Sequence, residues 1–160
     1  MNIISSAFKE TDLMPARYTC DGENISPPLS WEELPEEAGS LVLLCEDIDS
    51  VKGIWSHWVV YHIPPSVDGF EEGVDLSGAA KSPGADSEIL EGVNDFDEIG
   101  YGGPCPSDGK THRYRFRLLA LREQLNLPPG SSRERVLDEA RDLILEEALI
   151  LTQYRLKEDD

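Results

Sequence analysis

The feature that most restricts the fold is an alternating segment at His112–Leu121, His-Arg-Tyr-Arg-Phe-Arg-Leu-Leu-Ala-Leu. Arginine stands at positions 113, 115 and 117, and aromatic or aliphatic residues stand at 114, 116 and 118. Because successive side chains of a strand point to opposite faces, this pattern predicts a β-strand with one buried face. The chain must therefore contain a sheet that has a core on at least one side.

Three further segments have strand character. Ser40–Cys45 is apolar on both faces, which predicts a central strand. Trp55–Ile63 is rich in β-branched and aromatic residues and predicts another strand. Residues 2–8 favour a short first strand. Residues 64–109 show almost no periodicity, and a loop of that length is expected to be either functional or flexible.

The last predicted element is a long C-terminal helix. Ser131-Ser-Arg-Glu134 has the form of a capping box, in which a serine oxygen accepts a hydrogen bond from the backbone N–H of Glu134. Apolar residues then recur at helical spacing: Val136, Leu137, Ala140, Leu143, Ile144 and Ala148. Strands first and one helix last favour a sheet-on-sheet or α+β architecture over a βαβ series. A length of 160 residues fits one domain, predicted over residues 1–160.

The charge is strongly acidic, with 32 acidic and 14 basic residues and a formal net charge of −18. The chain has no basic stripe, which argues against nucleic acid and anionic membranes as partners. Two interpretations remain, an acidic interaction surface or adaptation to a salt-rich cytoplasm, where screening removes the self-repulsion. The acidic residues are spread over the whole chain, which favours the second.

Location and cysteine usage are also constrained. No apolar run approaches the ~20 residues that span a bilayer, so no membrane insertion is expected. Met1–Phe8 lacks a basic flank and a long apolar stretch, so a cytoplasmic location is expected.

Three cysteines without C-x-x-C spacing favour small buried residues over a zinc site. A Cys20–Cys105 bridge, between two Gly/Pro-rich loops, is the less favoured alternative.

Candidate functional side chains lie close to the predicted strands. Asp47 and Asp49 follow the central strand, His57 is near the start of the next, and His112 begins the alternating strand on its buried side. In an unbroken strand His57 and His62 point to opposite faces, so they cannot serve one site. Each residue also has a purely structural interpretation. Acids often solvate turns, and a histidine between tryptophans is more often a hydrogen-bonded core residue.

These residue types together suit an anion. A histidine held by a carboxylate is oriented and kept cationic. The Gly-Gly-Pro-Cys-Pro run at 102–106 has no Cβ near Gly103, so its backbone N–H groups can approach a ligand. Two such histidines, His57 and His112, together with these N–H groups would bind a phosphate-like anion.

Two enzymatic interpretations compete with anion binding. Asp47, His57 and His112 also fit a two-histidine, one-carboxylate metal site for hydrolysis or oxygen chemistry. A serine or cysteine hydrolase is the least favoured interpretation. No G-x-S-x-G motif is present, and Cys105 has no evident general base.

Several motifs in a fixed order carry a more specific signal. They are Tyr18-Thr-Cys-Asp-Gly, Asn24-Ile-Ser-Pro-Pro-Leu-Ser-Trp31, Asp47-Ile-Asp49, Trp55-Ser-His-Trp-Val-Val-Tyr-His-Ile-Pro64, Gly92-Val-Asn94, Gly103-Pro-Cys-Pro106 and Thr111-His-Arg-Tyr114. With these motifs the chain resembles, over nearly its full length, the phosphatidylethanolamine-binding protein family. These proteins are also called Raf-kinase-inhibitor-like, and the match is to their compact bacterial and archaeal form.

The resemblance implies a mainly β fold, an antiparallel β-sandwich, with a conical pocket for phosphate, acetate or a phosphorylated headgroup. It also implies a binding protein without cofactor or catalysis that inhibits or regulates a kinase or protease, with a homodimer left open. Two departures loosen the loop geometry: Ile48 replaces a usual proline, and Ser107 replaces a common second proline. By position, the implied pocket residues are Asp47, Trp55, His57, Gly103, Pro104, His112 and Tyr114, with Asp49 in support.

Overall fold

The computed structural model describes residues 1–76 and 89–156. Its strands in chain order are β1 (Asn2–Ile4), β2 (Leu29–Glu32), β3 (Ser40–Asp47), β4 (Trp55–Ile63), β5 (Gly69–Phe70), β6 (Leu90–Glu91), β7 (His112–Leu121) and β8 (Ile144–Tyr154). A 3-10 turn covers Ala16–Tyr18, and one α-helix, α1, covers Arg133–Ala140. The strands form two antiparallel sheets, ordered β1-β2-β5 and β6-β4-β3-β7-β8.

Two apolar cores lie on the two faces of the larger sheet. One lies between the sheets, where Trp31 and Phe70 of the smaller sheet pack with residues of β3 and β7 such as Leu43 and Phe116. The other lies under α1 and includes Val136. The predicted antiparallel β-sandwich is thus confirmed. All eight residues of β3 are buried, as expected for a strand at the centre of a sheet.

The predicted long C-terminal helix is wrong. Helix α1 ends at Ala140, and most of the segment that follows is the eleven-residue strand β8. Leu, Ala and Glu favour helices locally, but β7 offers a free edge, and β8 pairs with it from His112↔Tyr154 to Leu121↔Ile144. Burial in β8 then alternates with a period of two at Ala148, Ile150, Thr152 and Tyr154.

The helix cap is displaced by one residue from the prediction. Ser132 is the N-cap, and its hydroxyl accepts a hydrogen bond from the backbone N–H of Arg135 at 3.2 Å. The hydroxyl of Ser131 instead donates to the carbonyl of Pro128 at 2.9 Å. No helix in the described ranges is long and apolar enough to cross a bilayer.

Loops and cysteines differ in part from expectation. Strands β5 and β6 lie within the long stretch 64–109, of which residues 77–88 fall outside the description.

Cys20 and Cys105 form a disulfide with a Cα–Cα distance of 5.5 Å, so the favoured interpretation of them as small buried residues is wrong. Cys45 alone matches it, as a buried free thiol.

A β-bulge in β4 decides where His57 points. Cys45 faces Trp58 while Glu46 faces Ser56, so His57 is an extra residue in the β3–β4 pairing. In an unbroken strand His57 and Trp58 would point to opposite faces. At the bulge both contact the inter-sheet side, where the His57 ring lies 5.3 Å from that of Tyr114 and the Trp58 ring 5.6 Å from that of Tyr101.

Candidate functional site

A pocket of about 220 Å³ opens where β3 ends and its neighbours begin. Because β3 runs antiparallel to both β4 and β7, its C-terminal end meets their N-terminal ends. This topology brings together the groups predicted from three separate segments. The lining residues are Asp47, Ser50, Val51, Lys52, Trp55, His57, Phe96, Cys105, Pro106, Ser107, Asp108, His112 and Tyr114.

His112 lies between two carboxylates. Its Nδ1 lies 2.6 Å from Oδ2 of Asp47, and its Nε2 lies 2.8 Å from Oδ2 of Asp108. Burial lowers the pKa of His112, but the hydrogen bonds and charges of Asp47 and Asp108 outweigh it and raise the pKa above its usual value. With a carboxylate on each nitrogen, the ring donates at both, so it is an imidazolium.

His57 behaves differently from the prediction. Its Nδ1 lies 2.6 Å from the carbonyl oxygen of Gly102, a neutral acceptor. Burial is the main influence and lowers the pKa of His57, despite the nearby charge of Asp47. His57 is therefore a neutral ring that donates from Nδ1 to a backbone carbonyl. Of the two histidines expected to be cationic, only His112 has a raised pKa.

Aromatic rings and one lysine complete the walls. Phe96 makes edge contacts with both His57 and Trp55, at ring distances of 5.2 and 5.7 Å. The Lys52 ammonium lies 5.3 Å from the Trp55 ring centre, a cation–π contact among the pocket-lining residues. The Tyr114 ring stacks on His112 with centroids 6.4 Å apart. The pocket thus combines an apolar body with a few fixed polar groups.

The Tyr114 hydroxyl is a buried donor without a well-aligned acceptor. Its oxygen is shielded from solvent and makes no well-aligned hydrogen bond with any residue that the structure describes, although the Asp47 carboxylate is close enough to affect it. Burial and then the charge of Asp47 raise the pKa of Tyr114, so the phenol stays protonated. Buried polar groups in folded proteins almost always have a partner, so an orphaned hydroxyl in a pocket wall points to a ligand.

The remaining predicted residues support the pocket from outside its lining. Asp49 does not line it, because its carboxylate accepts from the backbone, Nε and Nη2 of Arg113 at 2.8, 2.9 and 2.9 Å. Gly103 and Pro104 are also outside the lining. The Gly103 N–H donates to Oδ1 of Asn24 at 2.8 Å, and a Cβ here would collide with the Tyr18 carbonyl and that same amide. The glycine therefore serves close packing of the chain on itself.

Sequence reasoning missed three lining residues with chemical importance. Lys52 and Phe96 lie in loops with no periodic pattern, and Asp108 lies in a Ser-Asp-Gly turn typical of solvated loops. The only usable signal was the four-residue separation of Asp108 from His112 across Gly109. Nothing local indicated that the loop folds back on the histidine.

The expected alternative, a metal site, lacks suitable geometry. Among residues 1–76 and 89–156, no group of three or more His, Cys, Asp or Glu side chains is placed to hold a metal ion. Asp47 and His112 bond to each other, while the Nδ1 of His57 bonds to a backbone carbonyl.

Comparison with known proteins agrees with this architecture. The family model described as phosphatidylethanolamine-binding protein matches residues 4–155. The chain belongs to the phosphatidylethanolamine-binding protein family. The family match includes every pocket-lining residue and all strands except the first two residues of β1, which places the pocket within the family's own fold.

Relatives in this family match over nearly their full length. A UPF0098 protein of Methanothermobacter thermautotrophicus is 47% identical and covers 97% of this chain and 99% of its own length. The crystal structure of a phosphatidylethanolamine-binding protein homologue from Chlamydia trachomatis has a TM-score of 0.86 at 35% identity, covering 98% of this chain and 97% of its own. E. coli YbcL, described as a member of the mammalian family, has a TM-score of 0.86 at 28% identity, and 98% of each chain is covered.

Proposed function

We propose that this protein binds a small anion, such as phosphate or a phosphorylated headgroup, in the pocket and performs no catalysis there. The observation that carries the proposal is a buried cation beside an unpartnered donor. His112 is an imidazolium fixed by Asp47, and the hydroxyl of Tyr114, whose ring stacks on it, lacks a well-aligned acceptor among the described residues. An anion that accepts from both, in place of the Asp108 carboxylate on Nε2, would satisfy the hydroxyl and keep the charge paired.

The pocket limits the ligand to a small group. A volume of about 220 Å³ suits a phosphate or a short headgroup. The rings of Trp55, Phe96 and Tyr114 line the pocket beside the charged pair, and apolar surroundings strengthen each electrostatic contact. The net charge of −18 repels anions at long range, so attraction must come from these local groups.

We extend the proposal to biological context by analogy with the family. Occupancy of the pocket would regulate a partner protein, such as a kinase or protease, as the Raf-kinase-inhibitor-like resemblance implies. We propose that the protein acts in the cytoplasm. We also propose that residues 1–160 form one domain. The dispersed acidic residues are proposed to be an adaptation to a salt-rich cytoplasm.

Calorimetric titration with inorganic phosphate, phosphoethanolamine and sulfate tests the binding. His112→Ala should weaken binding by about 1.5–3 kcal/mol, the scale of a hydrogen bond to a charged group. His62→Ala is the matched control, because His62 lies outside the pocket lining and should leave affinity unchanged. Sulfate keeps a constant charge, so a loss of its binding as pH rises above ~6.5 reports deprotonation of His112 and not of the ligand, since the pKa of His57 is lowered.

Two outcomes would contradict the proposal. One is that the wild-type protein binds none of the three anions at millimolar concentration. The other is that the His62 and His112 variants lose equal affinity, since the loss could then not arise from the pocket. Either result would refute the assignment of this pocket as an anion site.

A further inference from the structure

The protein already supplies a carboxylate at the position an anion would take. The Nε2 of His112 donates to Oδ2 of Asp108 at 2.8 Å, while the other ring nitrogen is held by Asp47. The two acids differ in exposure, since the side chain of Asp108 is 29% exposed and that of Asp47 only 7%. No N–H of His112 is therefore left for an external ligand.

We propose that Asp108 is an internal competitor that occupies the Nε2–H donor of His112 and must be displaced before external anions bind. This inference rests on the proposed anion-binding function. It assigns different tasks to the two acids on the histidine. Asp47 orients the imidazolium permanently, and Asp108 is a replaceable internal ligand.

The surroundings of Asp108 allow displacement at small cost. Within residues 1–76 and 89–156, its other oxygen, Oδ1, accepts only from the local backbone N–H of Lys110 at 3.0 Å, and this turn contact can persist as the loop moves. Gly109, with φ of +74°, has open space around its Cβ position, so no packed side chain resists movement there. A displaced Asp108 carboxylate would return to water. Asp47 has no such freedom, since it is buried and its Oδ1 accepts from the backbone N–H of Asp49 at 2.8 Å.

Because Asp108 is tethered to the site, an external ligand must exceed a threshold concentration to displace it. A group on a short flexible tether has an effective concentration on the order of millimolar. A free monocarboxylate such as acetate makes the same single contact as Asp108, so it cannot compete well below that concentration. A dianionic tetrahedral oxyanion carries more charge and more acceptor oxygens, and one of these can accept from the Tyr114 hydroxyl. Phosphate and its monoesters can therefore exceed the threshold at concentrations at which simple carboxylates do not.

Among the described residues, few other charged groups lie near the Nε2 of His112, where an external anion would replace Asp108. Asp47 faces the ring from β3, and Lys52 lines the pocket on its Trp55 wall. Arg113 follows His112 but is held by the fork of contacts to Asp49. Removal of the Asp108 charge thus leaves one carboxylate on His112 and makes the pocket less negative. Anions should bind more tightly, while the histidine itself loses a stabilising partner.

The test uses Asp108→Asn, in which the amide oxygen can still accept from the Lys110 N–H. Glu37→Gln is the matched control, since it removes the same charge from an exposed position before the opposite end of β3. Acetate, inorganic phosphate and phosphoethanolamine are titrated calorimetrically at a pH where His112 is protonated in both proteins. Acetate affinity should rise at least ten-fold in Asp108→Asn and stay unchanged in the control. Phosphate affinity should rise as well, because the same competitor is removed for both ligands.

A second readout separates competition from a structural role. In Asp108→Asn the NMR titration of His112 should move to lower pH, although anion affinity rises, because one of its two carboxylate partners is gone. General damage to the pocket would lower the affinity instead. Asp108→Ala provides a second variant without any side-chain acceptor and should show the same two changes.

Each outcome has a defined meaning. If wild-type protein binds phosphate but acetate affinity does not rise in either Asp108 variant, the competitor role is refuted and anion binding stands. If phosphate affinity falls in both variants, Asp108 contacts the ligand, and the competitor role is again refuted. If no anion binds to wild type or to either variant, the proposed function itself fails.

Discussion

Glu46 is the residue whose neutralisation should most strongly destabilise the fold. Its side chain is fully buried on the sheet face opposite the inter-sheet core, next in sequence to Asp47 of the pocket. Three arginines surround it. Arg115 approaches Oε1 through Nε and Nη2, both at 2.9 Å, while Arg117 Nη1 at 3.4 Å and the Nε of Arg133 contact Oε2. The cluster joins β3, β7 and the first turn of α1.

The expected cost of Glu46→Gln follows from this burial. Removing one partner of a buried ion pair typically costs 3–5 kcal/mol, because the remaining charge is left uncompensated. Here the arginine side chains are 13–23% exposed and can recover some hydration, so we expect about 3 kcal/mol. For a chain of this size, each kcal/mol lowers the melting temperature by roughly 2–4 °C. The variant should therefore melt about 6–12 °C below wild type.

Urea unfolding and scanning calorimetry of the purified variants measure this loss. Glu147→Gln is the control, because the Glu147 carboxylate also pairs with Arg117 but is partly exposed, and such pairs contribute about 1 kcal/mol or less. Equal destabilisation by the two substitutions, or a cost below about 1 kcal/mol for Glu46→Gln, would refute the assignment of Glu46 as the electrostatic anchor of this sheet face.

Two further predictions concern protons and salt. The raised pKa of His112 means that its contribution to stability is full below pH ~6.5 and is lost as pH rises through the folded value. The lowered pKa of His57 gives the opposite sign, with stability lost as pH falls through its folded value. NMR titration should place the two rings on opposite sides of pH ~6.5, and the same pKa for both would contradict this. For salt, the melting temperature should rise from dilute buffer to molar KCl, where the Debye length is ~3 Å, and a flat or falling trend would remove the halophilic interpretation.

Local periodicity predicted the strands well. The bounds of β4 and β7 match the segments Trp55–Ile63 and His112–Leu121, and β3 extends the predicted central strand by two residues. These predictions succeeded because the alternation in β7, and the two-sided apolarity of β3, reflect burial that the final sheet provides. The helix prediction succeeded only for the first two turns, where the cap acts locally.

The segment after α1 shows where local reasoning fails. The same Leu, Ile and Ala residues fit a helical face and an alternating strand, so spacing alone could not separate the two. The choice depended on the long-range pairing of β8 with β7, whose backbone N–H and C=O groups need partners when buried. A sequence window that is shorter than the loop and helix between β7 and β8 contains no information about this pairing.

For the site, the sequence by itself determined the identities of the chemical groups and, through motif order, the family. It also placed Asp47 at the end of one predicted strand and His112 at the start of another. Only the tertiary structure decided the charge states of His57 and His112. A bulge turned His57 toward a backbone carbonyl and kept it neutral, and a loop brought Asp108 onto His112 and kept that ring cationic. The physical reason is that a pKa depends on burial and on partners distant in sequence, which local patterns do not contain.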